Sequence, residues 1–142
     1  MGDSAVRLWT KTITTAITAP GEVQESLDLG RVDQIIMHSI FDYGSGGTTA
    51  KAFFQMSFDN GATWKDVINQ AFTTADASPT SVISSDVAPA AQSFAGTDGT
   101  LADNTVHNGA IGGLGRVKVI TSGTYAGSTT LNVWITARRR GR

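Results

Sequence analysis

The chain has 142 residues, the size of one domain with a single hydrophobic core, and only 16 % of them are charged while none is Cys. That excludes a disulfide framework, a thiolate nucleophile and a Cys-ligated metal. No apolar run is long enough for a membrane-spanning helix, and the charged-then-apolar pattern of a signal peptide is missing, so a soluble chain made in the cytoplasm is expected.

Ser (12), Thr (19), Gly (16) and Ala (17) together occupy 64 positions. This composition favours strands and loops over long helices, because Ser, Thr and Gly are poor helix formers and Thr sits well on a pleated surface. The net charge of −1 is unevenly spread. Residues 66–115 contain Asp66, Asp76, Asp86, Asp98 and Asp103 but no Lys or Arg, whereas Arg138, Arg139, Arg140 and Arg142 crowd into five positions. An acidic body of residues 1–137 with a basic C-terminal tail at 138–142 implies that the tail has a docking partner, either another molecule or a neighbouring copy.

In chain order, residues 6–17 are rich in β-branched side chains and end at Pro20-Gly21, which predicts a first strand and a turn. Residues 32–41 are apolar on both alternation faces beyond Gln34, the pattern of a central strand buried on both sides. Gly44-Ser45-Gly46-Gly47 breaks it. Residues 51–58 resume with Ala52, Phe54, Met56 and Phe58 on the inward face, and with Lys51, Gln55 and Ser57 outward. A turn at Asp59-Asn60-Gly61 leads into a strand over 64–68. Residues 75–108 read as an extended excursion with one or two short strands. Residues 116–121 and 129–136 alternate cleanly, with Leu131, Val133 and Ile135 opposite Thr130, Asn132, Trp134 and Thr136, and are expected to close the chain as a hairpin. Seven or eight short strands with Gly-rich turns predict an all-β antiparallel β-sandwich or jelly roll, forming one domain over residues 1–137.

The sharpest local motif is Ser57-Phe58-Asp59-Asn60-Gly61-Ala62-Thr63-Trp64. Asp59 is placed to accept hydrogen bonds from the turn's own backbone, Gly61 to take a positive φ, and Trp64 to pack back over the preceding strand. With Ser57, Asp59, Gly61, Thr63 and Trp64 at its specified positions, the segment resembles the Asp box of sialidases, an element that the resemblance implies to be structural. A propeller of such blades would not fit in this length.

No catalytic constellation emerges. Ser nucleophiles need a nearby base, and the two His are read as a packed, hydrogen-bonded His38 and a loop His107. Gly44-Ser45-Gly46 is not a nucleophile elbow. The Gly-rich residues 109–115 lack both the Walker and the dinucleotide spacing and are read as a flexible or closely packed connection. Asp98, Asp103 and Asn104 could hold Ca²⁺ on a loop, but a solvated acidic loop is the simpler expectation. No cofactor and no metal are expected. Trp134 and Tyr125, with Trp9, Trp64 and Tyr43, are candidates for a sugar-stacking face if two or more lie exposed and coplanar.

Three segments read together, residues 27–35 (LDLGRVDQI), 54–67 (FQMSFDNGATWKDV) and 115–138 (GRVKVITSGTYAGSTTLNVWITAR), resemble small structural proteins of tailed bacteriophages. The resemblance implies a non-enzymatic β-sandwich in the virion, decorating the capsid or sitting at the neck or tail, assembled in the bacterial cytoplasm. Its partners would be its own copies in a symmetric oligomer and the major capsid or other virion proteins, with no membrane and no nucleic acid. A carbohydrate- or receptor-binding module is the alternative of a different class.

Overall fold

The computed structural model describes residues 5–17, 21–23, 26–85 and 98–139. All regular structure among them is β. Seven strands have five or more residues: β1 (Ala5–Thr12), β4 (Val32–Asp42), β6 (Thr49–Ser57), β7 (Lys65–Phe72), β8 (Thr80–Ser84), β10 (Leu114–Ser122) and β12 (Thr130–Arg139). Five have two residues: β2 (Glu22–Val23), β3 (Leu27–Asp28), β5 (Ser45–Gly46), β9 (Thr105–Val106) and β11 (Tyr125–Ala126). The expected turn at Pro20, and Phe94 of the long excursion, lie outside the described residues.

The strands form two principal antiparallel sheets. The first has the order β1-β12-β4-β8, and the second β2-β10-β6-β7-β9 with β3 also on β10. Their inner faces meet in one core, to which the first sheet gives Trp9, Ile35, Met37, Phe41, Leu131, Val133 and Ile135, and the second Ala52, Phe54, Met56, Ile68, Val117 and Val119. Period-two alternation puts these side chains on one face of each strand, and burying both faces against each other makes a β-sandwich, the predicted class.

The last two long strands are not a hairpin. β10 pairs with β6 in the second sheet, whereas β12 pairs with β1 and β4 in the first. The connection between them crosses from sheet to sheet, as does the one from β4 to β6, and the two crossings are tied where Tyr125 pairs with Gly46 and Ala126 with Ser45. This crossing is tightly packed. The Tyr125 ring is fully buried between the two arches, edge-on to Phe41 at 5.7 Å and to Tyr43 at 6.1 Å, and its hydroxyl donates to the Thr73 carbonyl at 2.8 Å. Gly47, at φ 70°, has no room for a side chain because a Cβ there would lie 2.3 Å from that ring.

Three further expectations are corrected. β4 is central but buried on one face only: Ile35, Met37, Ser39 and Phe41 point into the core, while Ile40 on the other face is 37 % exposed. Phe58 is 51 % exposed, because β6 ends at Ser57 and the turn rotates the next side chain off the inward face. β12 continues through Arg139, so Arg138 and Arg139 belong to the strand, paired opposite Gln34 and Val32. Among its described residues the excursion carries two short strands, β8 and β9.

Candidate functional site

In the turn after β6, Asp59 and Gly61 take the roles expected of them, whereas the contact recorded for Trp64 is with Arg116 on β10 rather than with the preceding strand. Asp59 Oδ1 accepts from the Thr63 N–H at 2.8 Å and the Ser57 hydroxyl at 2.9 Å, and Oδ2 accepts from the Thr63 hydroxyl at 2.7 Å. These bonds, the Thr63 hydroxyl first, hold the Asp59 carboxyl below its ordinary range. The Gly61 N–H donates to Ser57 Oγ at 2.7 Å, and Gly61 sits at φ 92°. Trp64 is half-buried, with the Arg116 guanidinium 4.2 Å over its ring, a cation–π contact that joins the turn to β10. The glycine-rich connection is close-packed at two points: a Cβ on Gly112 would meet the Ser57 carbonyl and one on Gly115 the Phe54 ring, both at 2.5 Å.

The outer face of the second sheet is covered. Phe53, Gln55, Asp66, Asn69 and Lys118 project from it and are all buried. Residues 98–101 lie over it, fastened by Asp66, whose carboxylate accepts from the backbone N–H groups of Gly99 (3.0 Å), Thr100 (2.7 Å) and Leu101 (3.0 Å) and from Gln55 Nε2 (2.8 Å). Asp98 accepts from Lys118 Nζ at 2.5 Å and Gln55 Nε2 at 2.6 Å and pairs with Arg116 at 3.4 Å. Partial burial opposes the charge on Asp98, but the hydrogen bonds from Lys118 and Gln55, with the attraction of Lys118 and Arg116, outweigh it and hold the carboxyl below its ordinary range. Burial lowers the pKa of Arg116, against the raising influence of Asp98 and Asp66.

Asp98, Asp103 and Asn104 therefore do not converge on a cation. Asp103 pairs with Lys51 at 3.0 Å and accepts from Asn69, and Asn104 accepts from the Ala71 N–H at 3.0 Å. Asp98 is committed to Lys118. Among the described residues no group of three or more His, Cys, Asp or Glu could hold a metal ion. The segment is clamped to the sheet rather than simply solvated. This network escaped sequence reasoning, although Lys118 between Val117 and Val119, and Asp66 at the start of an apolar run, are the signal that a charge faces a covered surface.

The outer face of the first sheet is different. Trp134 on β12 lies between His38 on β4 and Arg7 on β1 in the strand register, with Asn132 opposite Ile40 and Thr136 opposite Ile36. His38 Nδ1 is hydrogen-bonded to the Thr80 hydroxyl at 2.8 Å, and the Thr10 hydroxyl to Asn132. Ile40 and Val82, the latter 45 % exposed, lie on this face beside half-buried Ile36 and Trp134. On this face His38 separates Ile36 from Ile40 along β4, with Val82 and Thr136 beside Ile36, Trp134 beside His38 and Asn132 beside Ile40. Towards the end of β4, Ile40, Phe41, Asp42, Asp76, Ala77 and Ser78 line an open hollow of about 220 Å³. Asp76 is held there by the Tyr43 N–H at 2.7 Å.

Of the sequence-predicted stacking residues, Trp134 is on this face. Tyr125 is not available to a ligand, being fully buried at the sheet crossing, and Trp9 is likewise in the core. Arg138 and Arg139 are exposed at the far end of β12, and Arg140 and Arg142 lie outside the described residues.

No family model and no curated protein matches this chain. Among solved structures, one described as "CBM4 structure and function" is similar with a TM-score of 0.46 and 10 % identity, over 96 % of this chain and 79 % of that one.

Proposed function

We propose that the protein is a non-enzymatic structural component of a tailed-phage particle, decorating or stabilising the capsid, and that it docks through the outer face of its first sheet. The observation that carries this reading is the contrast between the two faces. The second sheet's outer face is covered by its own chain, whereas the first sheet's leaves Ile40 and Val82 exposed beside half-buried Ile36 and Trp134, with His38 among them. Exposed apolar side chains on an uncovered sheet face fit a protein interface, and repetition over a symmetric shell multiplies a modest contact into firm attachment. The resemblance of residues 27–35, 54–67 and 115–138 to phage structural proteins supports the same reading. Cosedimentation of the purified protein with particles lacking it is the test. Binding is expected, and Val82→Lys with Ile40→Lys should abolish it while the melting temperature holds. A protein that stays in the supernatant, or binds equally well with the face charged, overturns the reading.

A second reading, glycan binding, is favoured by one specific observation: Trp134 is flanked by Asn132, Thr136 and His38, an aromatic surface among hydrogen-bonding side chains. Titration calorimetry with oligosaccharides tests it. Heat that Trp134→Ala removes supports a sugar platform, and no heat with any saccharide rejects it.

A further inference from the structure

We infer that the hollow at the end of β4 receives the arginine segment, residues 138–142, of a second copy of this chain, so that the chain self-associates. The hollow is acidic, lined by Asp42 and Asp76 with no Lys or Arg. It is smaller than the roughly 300–1,000 Å³ of small-molecule sites. Its open shape and its mixture of Ile40, Ala77 and carboxylates suit one long cationic side chain, whose apolar stem can lie along the wall while its guanidinium reaches an aspartate. The complementary charge is on the same chain, since four of its eleven basic residues are Arg138, Arg139, Arg140 and Arg142.

The strand register decides which copy supplies it. Asp42 is paired with Thr130 at the start of β12, and Val32 with Arg139 at its end. Ten residue steps separate Val32 from Asp42, about 34 Å at the rise of an antiparallel strand. Arg140 and Arg142 follow Arg139 by at most three residues, and so reach no further than about 10 Å from it. A chain cannot place these arginines in its own hollow. The hollow is at the Asp42 end of β4, whereas Arg139 is paired at the Val32 end, so the contact joins two copies, either reciprocally in a two-fold pair or in succession along a ring or filament.

The test uses the purified full chain alone and is independent of particle binding. Sedimentation analysis should show self-association at low salt that reverts to monomer at high salt, because the ion pairs are exposed and screened. Removing residues 140–142, or the exposed substitution Asp42→Lys, should each give a monomer with unchanged melting temperature. Their equimolar mixture should form a one-to-one heterodimer, since the intact arginines of one meet the intact hollow of the other. Combining Asp42→Lys with Arg140→Glu and Arg142→Glu in one chain should restore association. A wild-type chain that is monomeric at every salt and concentration, or a mixture that stays monomeric, overturns the inference. Association lost on truncation but kept in both Asp42→Lys and Asp42→Asn shows that the arginines bind elsewhere, and overturns it as well. Retention of the full chain, but not the truncated one, on a non-specific DNA duplex without any self-association assigns the arginines to nucleic acid and rejects the hollow.

Discussion

Lys118 and Asp98 face each other across the covered side of the second sheet, 2.5 Å from nitrogen to oxygen, with the lysine side chain 5 % exposed and the aspartate 44 %. The asymmetry matters. Asp98 remains hydrated on one side, but Lys118 has surrendered most of its water and depends on the aspartate, so the pair is a one-way constraint that holds residue 98 over the sheet.

Removing the aspartate should therefore cost more than removing both partners. Asp98→Ala leaves a buried ammonium without its carboxylate, and a loss of about 1–3 kcal/mol is expected, reduced from the value for a wholly buried pair because Asp98 is partly solvated. Asp98→Ala with Lys118→Met should recover much of it, since the methionine stem needs no partner. Urea unfolding of the two single variants and the double variant measures the coupling directly, and simple additivity would contradict the proposed dependence.

The same carboxyl, with Asp59, sets the acid limb of stability. Both have folded pKa values below their ordinary ones. Each therefore contributes stability that is complete above its unfolded pKa, about 3.9, and is lost as pH falls through the lower folded value. Denaturation midpoints are expected to hold from neutrality to about pH 5 and to fall below about pH 4. Asp98→Asn should flatten that fall, and a midpoint unchanged by acid in the parent chain would contradict the linkage.

Glycine positions separate three kinds of constraint. Gly61 needs its positive φ but has space, the nearest contact for a Cβ being Leu114 at 3.6 Å; Gly47 has both a positive φ and the Tyr125 ring in the way; Gly113 has neither restraint. Alanine should cost about 1 kcal/mol at Gly61, several times more at Gly47, and nearly nothing at Gly113. Thermal melts of the three variants should keep that order.

These residues also mark where the sequence was informative. The inward sets Leu131, Val133, Ile135 and Ala52, Phe54, Met56 were legible because alternation determines which side of a strand is apolar. The turn at residues 57–64 was legible because Asp, Gly and Thr occupy the places its hydrogen bonds require. Strand partnership was not. Alternation assigns a face and says nothing about a neighbour, so β10 and β12, adjacent in sequence, read as a hairpin although a seven-residue connection carries the chain to the opposite sheet. Burial of Tyr125 and Lys118 was hidden for a related reason, since both depend on a second segment laid over them from far along the chain. The hollow at Asp42 and Asp76 was invisible too, because it exists only where residues 76–78 fold beside the end of β4.

One buried polar side chain links the two sheets through the core. Gln70 on β7 accepts from the Ser39 hydroxyl at 2.5 Å, and its amide donates to the Met37 carbonyl at 3.1 Å and to the Ser81 hydroxyl at 3.1 Å. Ser39 and Met37 are on β4 and Ser81 on β8, so this amide satisfies groups of the first sheet from a strand of the second. Apolar contacts alone permit the sheets to slide, whereas these bonds specify one relative placement. Gln70→Ala should cost about 2–4 kcal/mol, combining a cavity with hydroxyl and carbonyl groups left unsatisfied. Gln70→Met, which fills the space, should still lose about 1–2 kcal/mol, and adding Ser39→Ala should return part of that by removing one stranded hydroxyl. Guanidinium unfolding gives the free energies, and hydrogen exchange at the β4 and β8 amides reports the placement: protection there should fall in Gln70→Met while β12 amides on the far side of β4 stay protected. Equal protection in both strands would mean that packing alone fixes how the sheets meet.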